Sequence, residues 1–168
     1  LVVSETDRIG AEGEGFKMPL DTLNPERILI AAEAIGIGQR ALDKAVSYAG
    51  ERKVFDRFIG QNQSIQHPLA ESWMALEAAN LMVWQAAKLY DEQKPCGAEA
   101  NAAKFLAADA AYEVCDRAVR THGGFGYAKE YHVERYLREI MIARIAPVSR
   151  ELIMCYIAEK VLGLPRSY

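Results

Sequence analysis

The sequence predicts an all-α fold: an up-down-up-down four-helix bundle behind a short extended or looped N-terminal segment. Three observations carry that expectation. Long segments place apolar residues at helical spacing, Gly and Pro punctuate the joints between them, and no stretch in the body of the chain alternates convincingly as a strand. Apolar residues make up 51% and charged residues 26% of the 168 positions, the make-up of a globular chain with a core, and one domain accommodates that length.

The opening LVVSETDRIGAEGEGF has no initiating Met and passes from an extended Leu-Val-Val into a Gly-rich loop, so the chain reads as a fragment of a longer protein. A first long helix is expected from about Asn24 to Gly50. Asn24 offers a cap, Pro25 suits the first helical position, and Ile28, Ile35, Leu42 and Ala49 recur every seven residues. Ala31, Ala32, Gly36 and Gly38 keep its surface thin, which lets a neighbouring helix or a ligand come close to the backbone.

ERKVFDRFIGQNQSIQ is a polar connection, and a second helix follows to about Gln93 with Trp73, Leu76, Leu81 and Trp84. Pro68 belongs in its first turns or kinks it. After the turn KPCG a third, Ala-rich helix covers about Ala98 to Thr121 and stops at Gly123-Gly124. A short charged helix, EYHVERYLREI, sets Glu134 and Arg138 one turn apart. The last helix is expected to start near Pro147 and to end at LGLPRSY, where Gly163 and Pro165 stop it.

Several functions are excluded by composition. A net charge of -3 with no Lys/Arg cluster gives nucleic acid no footprint. Cys96, Cys115 and Cys155 are odd in number and widely spaced, which argues against a disulfide framework and a zinc site and for a reducing compartment, the cytoplasm or, in a eukaryote, the mitochondrial matrix. His67, His122 and His132 do not pair with the cysteines at ligand spacing, so no metal is expected. No run reaches the roughly 18 apolar residues of a membrane span.

One feature of the first helix asks for a reason. Glu26 and Arg27 stand in the first turn of an otherwise greasy, small-residue segment. On the residues alone, Glu26 complements the positive end of the helix dipole, worth about 0.3–1 kcal/mol. Glu33, seven residues on, returns to nearly the same face, and its alanine neighbours point to a partly buried, paired carboxylate.

Three stretches in order, GEGFKMPLDTLNPERILIAAEAIGIGQRALDKAVSYAGERKVFDRFIGQNQSIQ, AVRTHGGFGYAKEYHVERYLRE and the helix after RIAPVS, resemble the C-terminal helical domain of the acyl-CoA dehydrogenase family of flavoproteins over essentially the whole chain. The resemblance implies that residues 1–16 end a preceding β domain or its linker and that 17–168 are the bundle domain. It implies FAD as cofactor and oxidation of an acyl-CoA thioester to the trans-2-enoyl-CoA, a carboxylate taking the α proton while the β hydride leaves for the flavin. In the branch that includes isovaleryl and long-chain enzymes the base stands on this first helix, in a Glu-Arg pair that matches Glu26-Arg27. Glu26 is then the catalytic base, Arg27 orients it or binds the CoA side, and Asn24 is a further substrate contact.

The commoner branch has its Glu at the start of the last helix, where this chain has Pro147. Proline has no N–H to polarise the thioester carbonyl. Losing such a donor typically costs about 2.7–4 kcal/mol of transition-state stabilisation, so a substitute such as the Val148 N–H or a slower reaction is expected. The resemblance assigns FAD contacts to Arg52, Phe55, Gln63, Arg120 (often Gln in the family), Gly123, Gly124 and Ser149 (usually Thr), with Val148 in place of a Gly. Without it, Arg52 belongs to a solvated turn and Phe55 to the core. Implied partners are the acyl-CoA, an electron-transfer flavoprotein as electron acceptor, and further copies in a homodimer or homotetramer, or a mixed oligomer. The isolated fragment is expected to be inactive. Two other readings stay open: a non-catalytic subunit that clamps flavin beside an active partner, and oxidase or monooxygenase chemistry on the same scaffold.

Overall fold

The computed structural model describes residues 2–167, apart from the side chains of Leu20 and Asp21; Leu1 and Tyr168, which bound the two expected segments, lie outside the described residues. Helix α1 runs over Lys17–Glu51, α2 over Gln63–Asp91, α3 over Gly97–His122, α4 over Val133–Ile145 and α5 over Arg150–Tyr156, the last continuing into a π turn at Ile157–Val161. Between α1 and α2 the expected polar connection contains a small antiparallel hairpin, β1 (Lys53–Val54) and β2 (Arg57–Phe58). Phe55 and Asp56 at its tip both have positive φ, 50° and 62°, which is the mirror-image turn that suits two-residue hairpins.

Helix α3 lies at the centre and packs against α1, α2, α4 and α5. Its buried face is rich in alanine (Ala100, Ala103, Ala107, Ala111, Ala118), and α1 answers with Ala31, Ala34, Ala41 and Ala45. Such small side chains let the two backbones approach closely. Gly38 is the tightest point: a Cβ there would stand 2.7 Å from Leu76 Cδ2 and 3.1 Å from Ala111 Cβ. The all-α class is therefore as expected, built from three long helices and α4, with α5 closing one end.

Three helix starts differ from the expectation; the short charged helix begins at Val133 rather than Glu130, behind His132 at φ 65°, and runs on to Ile145. Asn24 is not a cap and Pro25 is not at the first helical position; both lie inside α1, which begins two turns earlier, after Phe16. Pro19 takes the place assigned to Pro25, in a first turn whose N–H groups have no intrahelical acceptor to lose. The last helix starts at Arg150 rather than near Pro147, because Ser149 is its cap: Ser149 Oγ accepts the Leu152 N–H at 3.4 Å. Elsewhere the punctuation holds. Gly123 caps α3 at φ 59°, and Glu134 pairs with Arg138 at 2.9 Å. Among the described residues no helix is long and apolar enough to cross a membrane, and no group of three His, Cys, Asp or Glu could hold a metal.

Candidate functional site

At one end of the bundle the last turn of α1, the hairpin, the start of α2 and the turn after α3 enclose a cavity of about 610 Å³. Four residues expected to contact a cofactor line it: Arg52, Arg120, Gly123 and Gly124. They come from positions about 70 apart in sequence and meet only through the antiparallel course of α1 and α3. The Arg52 guanidinium lies over the Phe125 ring, 5.6 Å from its centroid, and Arg120 is tethered by Asp116 at 2.7 Å. Gly123 needs its glycine for the positive φ, and Cβ atoms at Gly123 and Gly124 would meet nothing, so bare backbone lines the open cavity.

Two forked cations, glycine backbone bare of side chains and aromatic faces form a lining that fits the pyrophosphate and flat rings of a dinucleotide such as FAD. Gln63 is exposed at the first position of α2, flanked by the cavity residues Asn62 and Ser64, and does not itself line the cavity. Phe55 is 95% exposed at φ 50°, so it does not belong to the core. Its ring stands free at the hairpin tip, held there by the left-handed turn that joins β1 to β2.

The floor of the cavity is His122, which the sequence set aside as a metal ligand without giving it another role. Its ring stacks on Tyr48 with centroids 4.3 Å apart, and Nδ1–H donates to the Ala118 carbonyl at 2.8 Å. Burial pushes its pKa below the usual histidine value, opposed by the Ala118 bond and aided by Lys44. The unfolded chain therefore takes up this proton at higher pH than the native state. Stability is expected to fall as pH drops below about 6.5, by at most about 1.4 kcal/mol per pH unit for one proton. Urea unfolding of wild type and His122→Gln between pH 8 and pH 5 checks this, and the two should diverge in slope only on the acid side.

The other candidates gather near the opposite end of α1. Glu26 is exposed and Arg27 is buried, 9% exposed, with Nη1 donating to Asn24 Oδ1 at 3.1 Å and Nε without a hydrogen-bond partner. Burial lowers the Arg27 pKa, while Tyr156 and Glu26 favour its charge. Glu26, Leu29, Glu33 and Gly36 form one exposed face of α1, and a Cβ on Gly36 would meet nothing within 4 Å. Glu33 is thus exposed rather than partly buried, because the alanines beside it face inward or along an open flank.

Ser149 stands in the Ala146–Ser149 loop, its hydroxyl oxygen accepting the Leu152 N–H and its proton donated to the Glu151 carboxylate. Arg144 and Arg150 pin the loop on either side by pairing with Asp109 of α3, and each guanidinium lies over a ring, Tyr112 at 4.5 Å and Phe105 at 4.4 Å. Lys104, missed in the sequence, is fully buried beneath the loop and donates to the Val148 carbonyl at 2.6 Å. Its signal was a lysine interrupting the alanine stripe of α3.

The family described as "Acyl-CoA dehydrogenase, C-terminal domain" matches residues 13–162, and the chain belongs to that family. Acyl-CoA dehydrogenase FadE12 of Mycobacterium tuberculosis is 45% identical over 162 residues, covering 95% of this chain and 42% of that protein. The caffeyl-CoA reductase-Etf complex subunit CarC of Acetobacterium woodii is 42% identical over 143 residues, 85% of this chain and 38% of that one. Among solved structures, PigA with FAD and proline superposes with a TM-score of 0.92 at 28% identity, over 96% of this chain and 42% of that one. The chain spans about two fifths of the length of the curated relatives it matches.

Proposed function

We propose that the protein to which this domain belongs is an FAD-dependent acyl-CoA dehydrogenase in which Glu26 takes the α proton of the thioester. The observation that carries the reading is the cavity that gathers Arg52, Arg120, Gly123 and Gly124. FAD, when bound, supplies the hydride acceptor. The chain's own residues bind and orient: Arg52 and the Gly123–Gly124 backbone hold an anion, Phe55 offers its ring, and Gln63 and Arg120 stand at the rim. Arg27, buried beside Glu26, orients that carboxylate or binds the CoA side, with Asn24, which accepts from its Nη1, as a further substrate contact.

Distance supports a multimer. Twenty-six residues of α1 separate Glu26 from Arg52, about 39 Å at helical rise, which is further than one extended dinucleotide reaches. The cavity of one chain therefore serves the cofactor beside another chain's Glu26, as in a homodimer or homotetramer. Trp73, Leu81 and Trp84, each more than half exposed on α2, add an apolar face for such assembly. An electron-transfer flavoprotein as electron acceptor is supported by the Etf-complex relative.

Arg52→Ala in the full-length protein is expected to raise the FAD dissociation constant about tenfold to a hundredfold, the worth of one charge-assisted contact. Fluorescence titration of the apoprotein checks it, and unchanged affinity removes the cavity from the cofactor site. Pro147 favours the second reading, a non-catalytic flavin-clamping subunit. Reduction of the bound flavin by any of a panel of acyl-CoAs in the purified protein alone excludes that reading.

A further inference from the structure

Lys104 has no part in the reading above, yet it is the bulkiest fully buried side chain among the described residues. Its ammonium reaches the Val148 carbonyl, 44 residues on, at 2.6 Å. A buried cation held by a neutral acceptor is expensive to keep, and an apolar side chain of the same length would fill the site at lower cost. Burial pushes its pKa down, Arg27 adds to that, and Asp109 opposes it. What the bond fixes is a loop already pinned at both ends by the Asp109 pairs with Arg144 and Arg150.

The peptide unit is planar, and its C=O and N–H point in opposite directions. With the Val148 carbonyl turned inward to Lys104, the Ser149 N–H of the same unit turns away from α3, and among the described residues it donates to no backbone carbonyl. A cation on the carbonyl also polarises the unit, making that N–H a stronger donor. We propose that Lys104 is a positioning residue: it fixes and polarises the Val148–Ser149 peptide so that the Ser149 N–H becomes the backbone donor this loop offers a thioester carbonyl, in place of the N–H that Pro147 lacks. The proposal rests on the acyl-CoA dehydrogenase reading.

The test uses the full-length protein as wild type, Lys104→Met, Lys104→Arg, and Leu76→Ala as a control of lowered stability from a core position outside the loop. The activity-independent readout is the red shift of bound cinnamoyl-CoA, a chromophoric enoyl thioester whose absorption moves when its carbonyl is polarised. Lys104→Met is expected to lose most of that shift and to reduce its flavin about tenfold or more slowly per bound FAD, with KM within about threefold. Lys104→Arg recovers part of both, and Leu76→Ala keeps both despite a lower Tm. A Lys104→Met protein with the wild-type shift and rate overturns the proposal. If that variant does not fold, a crystal structure of the wild-type holoenzyme with cinnamoyl-CoA decides. Ser149 N within about 3.2 Å of the thioester oxygen is expected, and a separation beyond about 4 Å overturns it. Failure of every acyl-CoA to reduce the wild-type flavin would instead remove the functional reading, while the spectral shift still reports on Lys104.

Discussion

Glu26→Gln in the full-length protein is expected to slow reduction of the bound flavin by acyl-CoA by about 10²–10⁴-fold while leaving FAD bound, the range that a positioned general base supplies. The amide keeps the shape of the carboxylate and its place beside Arg27 but cannot accept a proton from carbon. Because Glu26 is exposed on α1, the substitution should move stability by no more than about 0.5 kcal/mol, so lost activity cannot be laid to unfolding. Glu33→Gln, on the same exposed face two turns along, is the matched control and should stay within about twofold of wild type. Stopped-flow absorbance at the flavin band reads both. Equal rates in wild type and Glu26→Gln would strip Glu26 of the role of base and favour the non-catalytic reading.

Exposure of Glu26 in this chain fits that role only if the face it shares with Leu29 and Gly36 is covered in the whole protein. A base for a carbon acid works in a water-poor pocket, where desolvation brings its pKa toward working pH. The face has the form such a cover needs: an exposed leucine between the carboxylates of Glu26 and Glu33, and a glycine with open space where a side chain would be.

Much of the fold was legible because its signals are local. The Gly123-Gly124 stop and the KPCG turn report backbone requirements of the residues that carry them, and the seven-residue repeat of α1 reports its buried stripe. Where local signals competed, the sequence misled. Asn24-Pro25 has the form of a helix start, but Pro19 six residues earlier satisfies the same requirement, and the intervening residues continue the helix. On the residues alone Phe55 reads as core, because hydrophobicity does not report the hairpin that lifts it out. The chemistry of the site was legible only in part. Lys104 and His122 gain their roles from partners 44 residues on and from a ring on another helix, relations that no spacing rule encodes.

Gly126→Ala is expected to damage both stability and cofactor binding. Gly126 lies in the 3-10 turn Gly123–Tyr127 that forms one wall of the cavity, packed against the last turns of α3. An added Cβ would stand 2.3 Å from the Val119 carbonyl oxygen and 3.0 Å from Val119 Cα, against backbone that no rotamer change can move. Either the turn lifts off the helix or α3 frays. Overpacking of this kind costs about 1–3 kcal/mol, and because the obstacle is main chain the upper end applies. For a protein of this size class that is a Tm lower by about 4–12 °C, and the displaced Gly123–Gly124 backbone should weaken FAD binding further. Gly50→Ala supplies the contrast: the same chemical change, also next to the cavity end of α1, but with nothing within 4 Å of the new Cβ. There the loss of unfolded-state freedom should stabilise by about 0.4–1 kcal/mol. Calorimetry and FAD titration on the pair separate the two causes, since a Gly126→Ala protein as stable as Gly50→Ala would show that the turn is free to move and does not hold the wall of the site.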